Sequence, residues 1–215
     1  MLQRAKNAIA KQLASVRKRR LVASGGAAAG WYDDVYSGEP DEYVTHYSQS
    51  RYLPVWESIC ERILPGNAVL EVGCGPAQLA EMMLERGIGG YVGFDFSPAA
   101  IVLAKKHLPA QGLEVGDART TDLFTTVDYD TIVCTEVLEH ITDDLAVVER
   151  FPKGKQVLAT VPNFDYETHV RFFKDVDEVR ARYGGLFEQL DVTTHFHAGD
   201  TDGSQGKFFL MNGVR

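Results

Sequence analysis

The sequence predicts a doubly wound α/β fold with a mostly parallel sheet, closed by a reversed hairpin of two C-terminal strands. Short apolar runs alternate with helical stretches from residue 67 onward, and this alternation is typical of βαβ units with right-handed crossovers. The last two apolar runs are joined by a loop rich in Gly, Asp and Ser that has no helical pattern. A connection without a crossover helix indicates antiparallel strands.

The individual elements follow from the spacing of apolar residues and of turn residues. Five strands are predicted at residues 68–72, 91–95, 113–115, 131–135 and 156–161. Helices are predicted at residues 51–64, 78–86, 98–107, 138–150 and 175–183. Pro65 and Gly66 follow the first helix and form a turn signal that ends it. The C-terminal hairpin takes residues 190–196 and 207–212.

Composition divides the chain into three segments. Residues 1–30 form a basic amphipathic arm and linker, residues 31–64 an aromatic-rich cap, and residues 65–215 the main domain. The net charge is −8, yet residues 1–20 carry seven Lys and Arg and no acidic residue, leaving 15 basic against 30 acidic residues elsewhere. An acidic body repels phosphate backbones, which argues against a broad nucleic-acid surface.

The basic arm has two readings. It could attach the protein peripherally to anionic lipid or to a partner helix, or it could be a solvated terminus. The three cysteines, Cys60, Cys74 and Cys134, lack the spacing of a zinc site or a disulfide framework. No apolar run reaches the roughly 18 residues of a membrane span. We therefore expect a cytoplasmic protein.

The first strand leads into a glycine turn that is suited to ligand binding. It reads Glu71-Val-Gly73-Cys-Gly75 and continues into a helix. Glycines let the backbone approach a ligand at the carboxyl edge of a sheet. The third glycine of a dinucleotide motif is missing, because Ala77 and Gln78 stand there. Glu71 would repel a pyrophosphate, whereas it would attract an amino group or a sulfonium.

Carboxylates follow the second and third strands as well. Asp95 ends the second strand, where a carboxylate can accept hydrogen bonds from both hydroxyls of a ribose. The alternative role of Asp95, as a helix-start residue, is weakened by Ser97, which is already an adequate N-cap. Asp117 follows the third strand and could accept from an adenine amino group or lie in a surface turn. Tyr47, in the cap, is predicted to line the ligand pocket.

Four segments of the chain carry a family resemblance. VLEVGCGPAQLA, YVGFDFSP, VGDA and YDTIVCTEVLEH together resemble the class I S-adenosylmethionine-dependent methyltransferases that have an EVLEH motif. The resemblance covers residues 65–161. It implies a Rossmann-like doubly wound sheet, methyl transfer and the cofactor S-adenosyl-L-methionine. It also implies that the following residues contact or flank the cofactor: Glu71, Gly73, Gly75, Asp95, Phe96, Asp117, Ala118 and Thr135.

Glu136, Glu139 and His140 follow the fourth strand at helical spacings i, i+3 and i+4, which places them on one helix face. Three roles remain open. The three residues could hold a divalent metal such as Mg²⁺ or Mn²⁺, with His169 completing the ligand set. His140 could act as a general base, with Glu139 and His169 as catalytic partners. Alternatively, His140 could be structural, because EVLEH occurs in methyltransferases with different acceptors.

The acceptor is predicted from the loop after the fifth strand. Asp165, His169 and Arg171 are candidates for acceptor recognition. We expect methyl transfer to a hydroxyl of a small molecule or of a sugar or glycan. The chain is also similar to small-RNA 3′-terminal 2′-O-methyltransferases in its EVLEH segment (136–140), its VPN segment (161–163) and a downstream His. Its acidic body departs from those RNA enzymes. A non-catalytic cofactor-binding scaffold is a further alternative, while Glu71 and Ala77 disfavour a nicotinamide-dinucleotide enzyme.

Overall fold

A computed structural model describes residues 15–215 and contains one seven-stranded sheet. The strand order is β3-β2-β1-β4-β5-β7-β6. The strands are β1 (Ala68–Val72), β2 (Gly90–Asp95), β3 (Gly112–Val115), β4 (Thr131–Cys134), β5 (Gln156–Pro162), β6 (Gln189–Phe196) and β7 (Lys207–Val214). Strands β1 to β5 pair in parallel. Strand β7 lies antiparallel between β5 and β6. The predicted fold class and its reversed hairpin are confirmed.

Eight helices are described in residues 29–183, in addition to a helical stretch at residues 15–23. They are α1 (Ala29–Ser37), α2 (Asp41–Val44), α3 (Leu53–Arg62), α4 (Gln78–Glu85), α5 (Pro98–His107), α6 (Leu123–Thr126), α7 (Asp144–Glu149) and α8 (Val176–Tyr183). Helix α5 begins where the sequence indicates: Ser97 caps it by accepting from the Ala100 amide, and Pro98 takes the first turn.

The core lies on both faces of the sheet, as a parallel sheet requires. Val69 and Leu70 are neighbours on β1, and both are buried. Successive side chains of a strand point to opposite faces, and these two residues belong to different buried clusters. The apolar runs that predicted the central strands are therefore buried on both sides, and the strands end together at one edge.

The predicted helix at residues 138–150 is wrong in its first half. Leu138–His140 forms a single 3₁₀ turn, and α7 begins only at Asp144. Glu136 has a φ of +54°, a left-handed conformation that cannot belong to a right-handed helix. Ile141 is extended. The loop is held in this shape by Arg171, whose guanidinium donates to the backbone oxygens of Leu138, Ile141 and Thr142.

The predicted arm and linker contact two loops: residues 17 and 18 pair with the loop after β5, and residue 26 lies beside the loop after β4. Lys18 pairs with Asp165, and Arg17 pairs with Glu167 at 3.0 Å. A Cβ added to Gly26 would lie 2.2 Å from the backbone oxygen of His140, so the chain passes directly beside the loop. Residues 1–14 of the arm lie outside the described residues. Among residues 15–215, no helix is both long and apolar enough to cross a membrane.

Candidate active site

Two adjoining cavities open at the carboxyl ends of β1, β2 and β4, the edge where open α/β sheets bind ligands. The narrower has a volume of about 100 Å³ and is lined by residues that follow β2 and β3, with Phe96, Asp117 and Ala118 among them. The wider cavity has a volume of about 590 Å³ and lies under the aromatic cap. Both are lined by Tyr32, Tyr36, Gly73, Glu136 and His140.

The glycine turn after β1 is shaped by close packing. Gly73 has a φ of +69° and Gly75 a φ of +51°, a region that favours glycine. A Cβ on Gly73 would lie 2.3 Å from Cγ2 of Val137. The backbone amide of Gly73 donates to the Phe94 oxygen at 2.8 Å, which fixes the turn against β2. The position therefore requires glycine for two independent reasons, its backbone conformation and the lack of space.

Asp95 lies at the end of β2 and faces the narrower cavity. Its carboxylate accepts from the Gly75 amide at 3.0 Å and from the Ser97 amide at 2.8 Å. Burial raises the pKa of Asp95 to about 6, while these backbone hydrogen bonds act in the opposite direction. Each carboxylate oxygen has a second lone pair. Asp95 can therefore accept from a ligand hydroxyl without giving up either backbone bond.

Glu71 is buried at the wider cavity and accepts a hydrogen bond from the Tyr91 hydroxyl at 2.6 Å. Burial raises the pKa of Glu71 to about 8, although the Tyr91 hydroxyl lowers it in part. The carboxyl group is therefore largely protonated at neutral pH without a ligand. A cationic group beside it would favour the ionised form.

Glu139, His140 and His169 form a carboxylate–imidazole cluster, with one ligand atom from each lying within 4.8 Å of the others. Nδ1 of His140 lies 3.2 Å from the Thr168 backbone oxygen, and Nδ1 of His169 lies 3.0 Å from the Phe164 backbone oxygen. A carbonyl oxygen only accepts, so both rings donate from Nδ1. Nε2 of each neutral ring is left with a lone pair.

The charges in the cluster are suppressed by burial. Burial lowers the pKa of His140 to about 3, and the neighbouring His169 adds to this shift. Burial and the neighbouring Glu136 raise the pKa of Glu139 well above its usual value. Neither carboxylate oxygen of Glu139 has a hydrogen-bond partner. Two imidazole lone pairs and an unpartnered buried carboxylate are a donor set that fits a divalent cation such as Mn²⁺.

Glu136 is not one of the three grouped ligands, but it lies close enough to Glu139 for the two carboxyl groups to shift each other's pKa. Its carboxylate accepts from the Thr160 hydroxyl at 3.0 Å, which ties it to β5, and burial raises its pKa to about 7. Three of the four residues predicted as metal ligands are thus brought together, through the 3₁₀ turn instead of a helix face. Arg171, a predicted candidate for acceptor recognition, instead holds that turn in place and lines neither cavity.

The prediction for Tyr47 is wrong. Its hydroxyl donates to the Glu85 carboxylate at the surface, and its ring packs against His46. Neither cavity is lined by Tyr47, although Thr45 and Gln49 on either side of it line the wider one. Thr135, by contrast, lines the wider cavity.

Sequence reasoning missed four residues of the site: Tyr32, Tyr36, Arg51 and Thr168. Tyr32 and Tyr36 are four residues apart on α1, so both point to the same side of the helix. That spacing could have predicted from the sequence that the two tyrosines reach the same site. Arg51 is the one Lys or Arg among the described residues that line the wider cavity. No sequence pattern marks Arg51 or Thr168, because both reach the site through loop conformation.

The comparisons agree with this architecture. A family model described as "Methyltransferase domain" matches residues 70–153. The ubiquinone biosynthesis O-methyltransferase of Hahella chejuensis is 38% identical over 89 residues, which are 40% of this chain and 37% of that protein. Residues 70–153 of the chain are thus similar to a methyltransferase domain. The aligned region thus spans less than two fifths of that curated relative's length.

Solved structures share the fold of this chain at low sequence identity. A chain of the Haloferax volcanii complex that contains the Trm112 methyltransferase activator has a TM-score of 0.64 and 17% identity, covering 86% of this chain and 96% of that one. The small RNA methyltransferase HEN1 has a TM-score of 0.60 and 17% identity, covering 75% of this chain and 25% of that one.

Proposed function

We propose that the protein is an S-adenosylmethionine-dependent methyltransferase that methylates a hydroxyl of a small molecule or of a sugar or glycan. One observation carries the proposal: two cavities of different chemistry meet at His140. The narrower cavity offers Asp95 to a ribose and Phe96 to a flat base. The wider cavity offers buried carboxylates and neutral imidazoles beside a large aromatic space.

The cofactor would lie across the junction of the two cavities. Its ribose hydroxyls would donate to Asp95, and Asp117 and Ala118 would flank the adenine. Its methionine end would extend into the wider cavity, where Glu71 suits the amino group and Arg51 suits the carboxylate. Arg51 is exposed, lines the wider cavity and has no carboxylate within salt-bridge distance among the described residues. The placement gives the amino group and the carboxylate of the cofactor a side chain of opposite charge each.

When bound, S-adenosylmethionine supplies a methyl group on a sulfonium that is already activated for displacement. The chain's own contribution is then mainly alignment, which can supply roughly 7–11 kcal/mol. Tyr32 and Tyr36 line both cavities and so stand at their junction. Holding the methyl donor and the acceptor hydroxyl next to each other is therefore the main contribution of these residues to catalysis.

The carboxylate–imidazole cluster would hold Mg²⁺ or Mn²⁺ through Glu139, His140 and His169. A cation there would lower the pKa of an acceptor hydroxyl. The same geometry argues against His140 as a general base on its own, because a group with a pKa of about 3 attracts a proton only weakly at neutral pH. A purely structural role would leave both oxygens of Glu139 unpartnered.

The aromatic lining of the wider cavity favours a small, flat acceptor. Trp31, Tyr43, Tyr52 and Phe164 surround a volume of about 590 Å³, which is in the range of small-molecule pockets. The Hahella chejuensis relative is named an O-methyltransferase of ubiquinone biosynthesis, and this name supports oxygen as the acceptor atom. A nucleic-acid strand would also meet the acidic body described above.

A second candidate function is methylation of the 3′-terminal ribose of RNA. The carboxylate–imidazole cluster favours it, together with the structural likeness to HEN1. The two functions differ in one requirement, because the RNA reaction needs a free terminal 2′-hydroxyl. Methyl transfer to RNA that is lost when the 3′ terminus is blocked would favour this second candidate.

The test is a transfer assay with methyl-labelled S-adenosylmethionine and Mn²⁺. The acceptors are catechol, a methyl glycoside, and a short RNA with a free or a blocked 3′ terminus. We expect label on catechol or on the glycoside and none on either RNA. Cofactor binding without transfer to any acceptor would contradict the enzyme proposal and favour a cofactor-binding scaffold.

A further inference from the structure

Unpartnered polar atoms concentrate around His140. Five buried side-chain atoms of the described residues lack a hydrogen-bond partner, and four of them belong to Tyr32, Glu139 and Thr168. Each such group costs about 1–3 kcal/mol when it stays unpaired. Glu139 is explained by the carboxylate–imidazole cluster. The hydroxyls of Tyr32 and Thr168 are not explained by it, because a neutral hydroxyl is a poor ligand beside a carboxylate and two imidazoles.

The Tyr32 side chain is held firmly in place. Its ring packs edge-on against Phe96, with centroids 5.1 Å apart, and against His140 at 5.9 Å. Asp33, the next residue on α1, accepts from the Ser97 hydroxyl at 2.6 Å and from the Ala99 amide at 3.2 Å. These contacts dock α1 on the start of α5, so the Tyr32 hydroxyl occupies a defined position between the two cavities.

Thr168 approaches the same point from the loop after β5. Its side chain is 3% exposed, and its backbone oxygen accepts from Nδ1 of His140. The Thr168 hydroxyl lies close enough to lower the pKa of Tyr32 in part, whereas burial, the larger influence, raises that pKa above its usual value. The phenol therefore stays protonated and remains a donor. The two hydroxyls lie near each other, yet neither makes a contact that meets the geometry of a hydrogen bond.

We propose that the hydroxyls of Tyr32 and Thr168 form an oxygen-binding position that selects acceptors with a second oxygen next to the one that is methylated. This inference rests on the proposed function. The reacting hydroxyl lies at the carboxylate–imidazole cluster, and the neighbouring oxygen accepts from Tyr32 and bonds with Thr168. An acceptor with one hydroxyl leaves both protein hydroxyls buried and unpaired, and a site built in this way discriminates against such an analogue.

The experiment measures binding of catechol and of phenol to the protein saturated with S-adenosylhomocysteine, by isothermal titration calorimetry in EDTA. The chelator removes metal ions, so chelation by catechol cannot create a preference. We expect the wild-type protein to bind catechol about tenfold more tightly than phenol, the value of one good hydrogen bond. Equal affinity for the two probes would overturn the proposal.

Variants separate this role from a structural one. Tyr32→Phe and Thr168→Val remove one hydroxyl each at nearly constant volume, and both should reduce the preference for catechol to about twofold or less. Tyr166→Phe is the matched control, because Tyr166 lines the same cavity but is 53% exposed. It should keep the wild-type preference. A preference that survives Tyr32→Phe and Thr168→Val would overturn the proposal.

Binding of S-adenosylhomocysteine alone, measured first on each protein, keeps the two hypotheses distinct. If the wild-type protein does not bind S-adenosylhomocysteine, the proposed function is contradicted. Intact cofactor binding with no discrimination between catechol and phenol contradicts only the oxygen-binding position. The expected result is a Tyr32→Phe protein that, when saturated with S-adenosylhomocysteine at its own measured affinity, no longer prefers catechol.

Discussion

Nδ1 of His140 lies 3.2 Å from the backbone oxygen of Thr168, and this contact fixes which ring nitrogen is free. The carbonyl accepts the Nδ1 proton, so Nε2 keeps its lone pair and lies 3.8 Å from Oε1 of Glu139. The loop after β5 thus sets the tautomer of a residue that follows β4. A hydrogen bond from the ring nitrogen that does not bind the metal orients a metal-binding imidazole in this way.

The cluster should bind Mn²⁺, and His169→Ala should weaken that binding at least about tenfold, because one imidazole ligand is lost. The measurement is calorimetric titration of the metal-free protein with Mn²⁺. His46→Ala is the control, since His46 belongs to a second, exposed group with Glu81 and Glu85. Binding that depends on His46 and not on His169 would place the metal at the surface and contradict the assignment.

Gly73→Ala should destabilise the protein more than Gly66→Ala does. Both glycines have left-handed backbones, with φ of +69° and +83°, so each substitution costs about 1–2 kcal/mol of backbone strain. Nothing lies within 4 Å of a Cβ at Gly66, whereas one at Gly73 meets Val137. We expect overpacking at Gly73 to add about 1–3 kcal/mol. Urea denaturation measures both, and equal losses would mean that Val137 moves aside.

Glu71→Gln should stabilise the ligand-free protein at pH 8 and have little effect at pH 4. The folded-state pKa of about 8 lies above the usual value of 4.5, so the stability contributed by protonated Glu71 is complete below pH 4.5 and is lost as pH rises toward 8. The loss is on the order of 3 kcal/mol at pH 7. Thermal unfolding across this pH range measures it. A pH-independent difference between the two proteins would be inconsistent with a raised pKa.

Much of the fold follows from patterns that are local in the sequence. The bounds of β1 and α5 agree with the prediction, because an apolar run and a Ser-Pro start are sufficient signals. Asp95 and Gly73 were predicted for the same reason: each lies at the end of a strand whose position is fixed by the sheet. All of these residues depend on one element and its neighbour.

The errors occur where distant segments decide the conformation. The 3₁₀ turn at Leu138–His140 depends on Arg171, more than 30 residues downstream along the chain. Tyr32 enters the site because α1 docks on α5 through Asp33. Tyr47 was placed in the pocket by its residue type alone, and it faces the surface instead. Loop conformation of this kind leaves no periodic signal in the sequence.

Asp95→Asn should weaken binding of S-adenosylhomocysteine by about tenfold to a hundredfold, because charge-assisted hydrogen bonds to the ribose are lost. Asp130→Asn is the matched control. The Asp130 carboxylate accepts from the Ala68 amide at 2.9 Å, at the opposite end of β1, so the same chemical change there should leave binding unaltered. Equal effects of the two substitutions would mean that Asp95 acts only on folding, and circular dichroism of both variants checks this.

The most direct test of the account is calorimetric titration of the wild-type protein with S-adenosylhomocysteine. Because the two cavities meet at His140, we expect one binding site for S-adenosylhomocysteine with a dissociation constant in the micromolar range. With Mn²⁺ and an acceptor present, we expect tighter binding or additional binding heat. Absence of binding to protein that circular dichroism shows to be folded would contradict the assignment of the glycine turn and Asp95 as a cofactor site.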